Sequence, residues 1–171
     1  MTDTSNPHQQ ILLDTCIIQY LLDSRITPEL NKYINTLSTQ SPHVSQITKA
    51  ELLDGCTIAN EKRVLEILQT VTSLELSERI LLGAGKLGSV YKEFSSTFKD
   101  IGMADKIIAA TAIVHSQHIL TNNRVHFPHP FFLEVQTTNI VYQAKKSKAI
   151  VCPVLLAVNM PFILERFKSR I

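Results

Sequence analysis

The chain has 171 residues, 44% of them hydrophobic and 19% charged. That length suffices for one domain with its own core and is too short for two, and the composition excludes a disordered polypeptide. A net charge of +2 does not mark a binder of nucleic acid by bulk charge, and Cys16, Cys56 and Cys152 have neither disulfide-framework nor zinc-ligand spacing, so reduced thiols are expected.

Residues 1–9 are polar and carry neither the basic nor the apolar part of a signal peptide, so a flexible start and a cytoplasmic location are expected. Ile11–Leu13 is a short apolar run ending at Asp14, which reads as a buried strand. Residues 16–22 read as a short helix, and Thr27-Pro28-Glu29 opens another with Pro at the first helical position. Val44 begins a second strand. Ser45 or Thr48 can cap the helix after it, which runs through Glu51 and Leu53 to Gly55. Residues 61–69 place Val64, Leu65 and Leu68 on one helical face, and 71–74 predict a third strand. From Ser77-Glu78 an amphipathic helix carries Ile80, Leu81, Ala84, Leu87, Val90, Tyr91 and Phe94, with a bend or break expected at Gly83, Gly85 and Gly88.

The stretch GMADKIIAATAIVHSQHILTNN follows. Over 107–114 every side chain but Thr111 is apolar, the pattern of a helix buried on most of its circumference. Asp105 sits in its first turn, where a carboxylate suits the macrodipole but loses hydration beside so apolar a segment. A strand at 119–121, a turn at Asn122-Asn123 and a strand near 133–137 come next. The apolar run 149–164 is interrupted by Pro153, Asn159 and Pro161 and falls short of the roughly 20 residues of a membrane span. A docked helix over 154–168 is expected instead, with no membrane contact. Residues 143–171 carry Lys145, Lys146, Lys148, Arg166, Lys168 and Arg170 against Glu165 alone, a basic C-terminal extension beyond a domain spanning 10–142.

Short apolar strands alternating with helices predict an α/β fold with a mostly parallel sheet, in which ligands gather outside the carboxyl ends of the strands. Asp14 and Thr121-Asn122-Asn123 end two strands, Glu51 follows Thr48 on one helical face, and Asp105 begins the helix leading into 119–121. Each has a plainer role by itself, as a cap, a solvated helix residue, a partner of the helix dipole or a turn. Convergence at one sheet edge would instead bring three carboxylates together, and a divalent cation would relieve their repulsion.

These residues carry a resemblance. ILLDTCII, VSQITKAELLDG, ADKIIAATA and ILTNNRVHF resemble, in order and spacing over about residues 10–127, the four motifs of PIN-domain nucleases in the form seen in VapC-type toxins of toxin–antitoxin systems. The resemblance implies a three-layer α/β/α sandwich with a central sheet of about five strands. It places Asp14, Glu51 and Asp105 at the acidic metal positions and Asn123 at the fourth, where many relatives have Asp. Thr15 and Thr121 match hydroxyls beside the site, Thr48 lies with them, and Cys16 stands where Ser is frequent. The implied cofactor is Mg²⁺ or Mn²⁺, bound by Asp14 and Asp105 and completed by Glu51. The uncharged Asn123 favours one ion over two.

The implied activity is hydrolysis of RNA phosphodiester bonds, with an antitoxin as partner and a homodimer whose interface would use Leu21, Leu22 and residues 34–37. Arg124, Lys49 and Lys106 are candidates for RNA contact. The alternatives are a degenerate module that binds RNA or protein without cutting, and a PIN nuclease outside a toxin–antitoxin system. No chemistry is expected of His115, His118, His126 or His129, and with 6% aromatic residues and no Trp no base-stacking platform is visible.

Overall fold

Ile11, Leu12 and Leu13 are all buried, so β1 (Ile11–Leu13) has covered faces on both sides, as a central parallel strand must. Three residues cannot hold by ladder bonds alone. Their burial, roughly 1.5–3 kcal/mol for each side chain, does most of it. The computed structural model describes residues 10–144 and 147–168. The polar start and Lys145, Lys146 and Arg170 of the basic segment lie outside them.

After β1 come α1 (Thr15–Leu21), α2 (Thr27–Leu37), β2 (His43–Ser45), α3 (Gln46–Asp54), α4 (Ile58–Leu68), β3 (Thr72–Leu74), α5 (Glu78–Phe94), α6 (Met103–His115) and β4 (His118–Thr121). Then follow β5 (Phe132–Thr137), β6 (Ile140–Gln143), β7 (Lys148–Val151), β8 (Val154–Val158) and α7 (Met160–Lys168). Six strands form the main sheet in the order β3-β2-β1-β4-β8-β5, and β6 pairs with β7 as a separate ribbon. The first four strands are parallel, while β8 runs antiparallel to both neighbours.

The alternation of Cβ directions sorts the core into two layers. Leu12 faces Ile80, Ala84 and Leu87 of α5 and Ile108 of α6. Ile11 and Leu13 face Ile17 and Ile18 of α1, Leu30 of α2 and Val64 of α4. Leu21 and Ile34, expected at a dimer interface, belong to this second layer and are buried, with Leu22 and Leu37 packed against it. Their apolar face is used within the chain.

Two further expectations are corrected. Residues 154–158 are strand, not helix: Pro153 and Asn159 bound an apolar run with Val at both ends, which fills the gap between β4 and β5. The helix begins only at Met160. The segment after 142 is therefore no appendage, because β8 completes the sheet. The glycines of α5 cause no break either. A Cβ at Gly83 would stand 3.5 Å from that of Ala110, and one at Gly88 would stand 3.3 Å from Lys106 Cδ, so both let α6 approach closely. Packing offsets a propensity cost of about 1 kcal/mol per glycine. Among the described residues no helix is long and apolar enough to cross a membrane.

Candidate active site

Because β1 and β4 pair in parallel, Leu13 with Leu120, both strands end at one edge, and Asp14 N–H donates to Leu120 O at 3.0 Å. Asp14 caps α1: its Oδ1 accepts from the Thr15 amide at 2.7 Å. Its Oδ2 accepts from Thr121 Oγ1 at 2.6 Å and from Cys16 Sγ at 3.1 Å. The side chain is only 4% exposed. Burial pushes its carboxyl above the usual range; the hydrogen bonds from Thr121, Cys16 and Thr15 pull back, and the charge of Asp105 pushes further up. Cys16 thus supplies the hydrogen bond that a serine would. Burial, then the charge of Asp14, pushes its thiol up to about 12, so it stays protonated and donates.

Glu51 reaches the same edge from α3. Its Oε2 accepts from Thr15 Oγ1 at 2.5 Å, and the buried Thr48 places its hydroxyl 3.3 Å from that of Thr15. Thr15 therefore ties Asp14 to Glu51, one through its amide and the other through its hydroxyl. Burial raises the Glu51 carboxyl, the Thr15 bond lowers it, and the charges of Asp105 and Asp14 raise it again. Ser45 stands at the start of α3 without capping it; its hydroxyl lies 3.2 Å from that of Thr111, the lone polar side chain between Ile107 and Ala112 in the buried run of α6.

Asp105 enters from the first turn of α6. A Cβ at Gly102 would stand 3.0 Å from Asp105 Oδ2, so the carboxylate folds back over the helix start into space only glycine leaves. The same oxygen lies 3.0 Å from His126 Nδ1, which lies 3.0 Å from Asn123 Nδ2. A ring nitrogen either donates or accepts. With its hydrogen on Nδ1, His126 serves Asp105; without it, it accepts from the Asn123 amide. The Asn123 backbone N–H is fixed by Thr121 Oγ1 at 2.8 Å. Below Asp105 lies Tyr91 of α5, fully buried, its hydroxyl without a partner among the described residues. Burial, and then the charge of Asp105, pushes that phenol upward.

The structure thus brings Asp14, Glu51 and Asp105 to one edge, with Thr15, Thr48 and Thr121 between them and Asn123 linked through His126. It does not bring the two lysines to the acids. Lys106 is buried, its stem laid along Gly88, and Lys49 is half-buried on α3; among the described residues neither pairs with an acid. Arg124 follows Asn123 in a 3₁₀ turn over Arg124–His126 and pairs with Glu134 of β5 at 3.3 Å. His126, Gly102 and Glu134 carried no sequence signal, because each acts through a contact that periodicity does not encode.

Among the described residues no three His, Cys, Asp or Glu side chains form a ready-made metal cage. The donor set is nonetheless that of a hard cation. Three carboxylates, two of them pushed up partly by the charge of the third, Asp105, suit an ion that takes one or two carboxylates and keeps several waters.

Ribonuclease VapC10 of Mycobacterium tuberculosis is 31% identical over 85 residues, 50% of this chain and 62% of that protein, so the match spans less than two thirds of the relative. A toxin–antitoxin complex from Klebsiella pneumoniae contains a chain 25% identical, with a TM-score of 0.57 over 71% of this chain and 92% of its own. FitAcB from Neisseria gonorrhoeae is 28% identical, with a TM-score of 0.56 over 69% and 91%. The sequence profile of the PIN domain matches residues 11–129, and the chain belongs to that family.

Proposed function

We propose that this PIN-domain protein is a divalent-metal-dependent endoribonuclease, the toxin of a toxin–antitoxin pair, working in the cytoplasm. The observation that carries this reading is the meeting of Asp14, Glu51 and Asp105, each from a different segment, at the carboxyl edge of the sheet, with the charge of Asp105 raising the carboxyls of the other two. A bound Mg²⁺ or Mn²⁺ would lower the pKa of a coordinated water and offset charge on the phosphate.

Asp14 and Asp105 are the groups to hold the ion, directly or through water. Thr121, Cys16 and the Thr15 amide keep Asp14 in one rotamer, and His126 gives Asp105 a single polar partner. Glu51, its carboxyl raised, is the group placed to take a proton from the attacking water or to complete the ion's shell. Asn123 adds an amide without charge, which leaves three carboxylates rather than four and favours a single ion. Arg124, one residue beyond Asn123 and paired with Glu134, is the RNA contact in this reading.

The partner in the same reading is an antitoxin, supported by the Klebsiella complex, and the assembly is a homodimer. Because Leu21 and Ile34 are internal, the dimer would draw on other apolar surface, such as the exposed Leu81, Leu82 and Leu164.

The test is cleavage of a mixed single-stranded RNA pool by the purified protein in Mg²⁺, Mn²⁺ or EDTA. Cutting in either metal, none in EDTA, and a loss of about 100-fold or more in the Asp14→Asn, Asp105→Asn double variant are expected. Cutting that persists in the double variant overturns the reading. RNA bound but uncut by the wild type would mark a binding module instead.

A further inference from the structure

The loop that carries Asn123 has a second face. Asn123 and His126 turn toward Asp105, while Arg124 and Val125 turn outward and border an open cleft of about 570 Å³. Its apolar side is built from Phe127 and Phe132, both buried, with rings edge to face at 5.7 Å, and from the half-buried Phe98. Phe132 and Glu134, two apart on β5, face the same way, and Leu156 of β8 stands in register with Glu134 and also lines the cleft. A bulge between Glu134 and Gln136 ends this regular stretch. The polar rim is the Arg124–Glu134 pair, Nη1 to Oε2 at 3.3 Å, with side chains 69% and 44% exposed.

A composite sequence signal underlies this cleft. The aromatic residues are few, yet Phe98, Phe127 and Phe132 gather beside Arg124, the neighbour of Asn123, whose amide is linked to Asp105 through His126. An RNA strand whose phosphate lies at the acids would send a neighbouring base toward this cleft; Phe127 and Phe132 are buried and offer no free ring face, so the base would rest on the half-buried Phe98 and be read by hydrogen bonds on its edges. The volume is of the size that holds small ligands.

The rim selects among the bases. A carboxylate accepts two parallel hydrogen bonds, and among the four RNA bases only guanine presents two adjacent donors, N1–H and the N2 amino group. A guanidinium donates in a fork, and guanine presents O6 and N7 as adjacent acceptors. O6 lies between these two edges, which is the order in which Glu134 and Arg124 stand side by side. Adenine turns the unprotonated N1 toward the carboxylate, and the pyrimidines offer it a single donor site. Opening the existing ion pair costs little, because exposed pairs of this kind contribute little.

We propose that this cleft is a guanine subsite for a nucleotide next to the cleaved phosphate, with Glu134 accepting from N1–H and N2–H and Arg124 donating to O6 and N7. This rests on the ribonuclease reading, and the experiment separates the two. Short single-stranded RNAs are made with one variable position, occupied by guanine, adenine, cytosine, uracil, inosine (no N2 amine) or 7-deazaguanine (no N7). Wild-type protein in Mg²⁺ reports cleavage, and Asp14→Asn protein reports binding by fluorescence anisotropy. A preference for guanine of about tenfold or more is expected in both, reduced by inosine and by 7-deazaguanine. In Glu134→Gln, whose amide offers one acceptor oxygen, guanine and inosine should become equivalent.

Cleavage without guanine preference, or a preference that survives unchanged in Glu134→Gln, overturns the subsite and leaves the nuclease standing. Guanine-selective binding without cleavage by the wild type overturns the nuclease and supports the subsite. Neither binding nor cleavage overturns both.

Discussion

Asp14 accepts three hydrogen bonds and is 4% exposed, whereas the Asp105 side chain is 21% exposed and leans on one polar side chain, His126, among the described residues. The first sits between two paired strands and a helix start; the second hangs from a helix turn and leans on the loop after β4. The acid edge therefore has a fixed side, Asp14 with Glu51 joined through Thr15, and an adjustable side, Asp105 with His126 and Asn123. A site that must hold an ion and also admit a phosphate gains from such a division: preorganised donors set the position, and the looser carboxylate adapts its rotamer.

The largest effect should come from cutting into the fixed side. Thr121→Val keeps the volume but removes the hydroxyl that donates to Asp14 and accepts from Asn123 N–H. A loss of roughly 10–100-fold in RNA cleavage is expected, of the size seen when a group supporting a metal ligand is removed. Unfolding in urea should also show about 1–3 kcal/mol of destabilisation, because a part-buried N–H loses its partner. An unchanged rate would mean that Asp14 needs no such support.

Gly102→Ala should act on the adjustable side alone. At φ −62° and ψ 159° the backbone suits any residue, so the added methyl strains nothing except the Asp105 carboxylate, 3.0 Å away. Activity should fall about tenfold while the melting temperature hardly moves. A large thermal shift with full activity would reverse the assignment. His126→Ala should cost less stability than Thr121→Val, below about 1 kcal/mol, since both partners are partly exposed. Its readout is the metal concentration at half-maximal cleavage, which should change, while Thr121→Val changes the maximal rate as well.

The subtlest test uses pH. The carboxyls of Asp14 and Glu51 are raised in the fold above their ordinary values of 3.8 and 4.5, so over this range the folded state binds more protons than the unfolded one. Their contribution to stability is then greatest at low pH and declines as pH rises through and above those values. In EDTA the melting temperature should show this decline from about pH 4 upward as one component. Added Mg²⁺ should recover more at pH 7 than at pH 4, because the ion binds the ionised carboxylates. Equal recovery at both pH values would speak against these acids as its ligands.

Much of this arrangement was legible in the chain. Ile11–Leu13 before Asp14, the run 107–114 after Asp105, and Thr121 at the end of a strand are local patterns, and local patterns survive folding because they state which face must be buried. The four motif segments were readable for the same reason. The 154–158 strand was not: Val154, Leu155 and Leu156 are equally apolar as helix or strand, and only the vacancy between β4 and β5 decides. The continuity of α5 was hidden too, since two of the glycines that weaken a lone helix, Gly83 and Gly88, are the ones that admit α6.

By itself, then, the sequence determined where the carboxylates stand on their own elements, because strand ends and helix starts are written in residue type and spacing. Tertiary structure alone decided which of them meet and what else meets them. Thr15 joining Asp14 to Glu51, His126 against Asp105, and Glu134 beside Arg124 link side chains between 10 and 36 residues apart. No local periodicity encodes such pairs; they follow from strand order and from which faces the core leaves free.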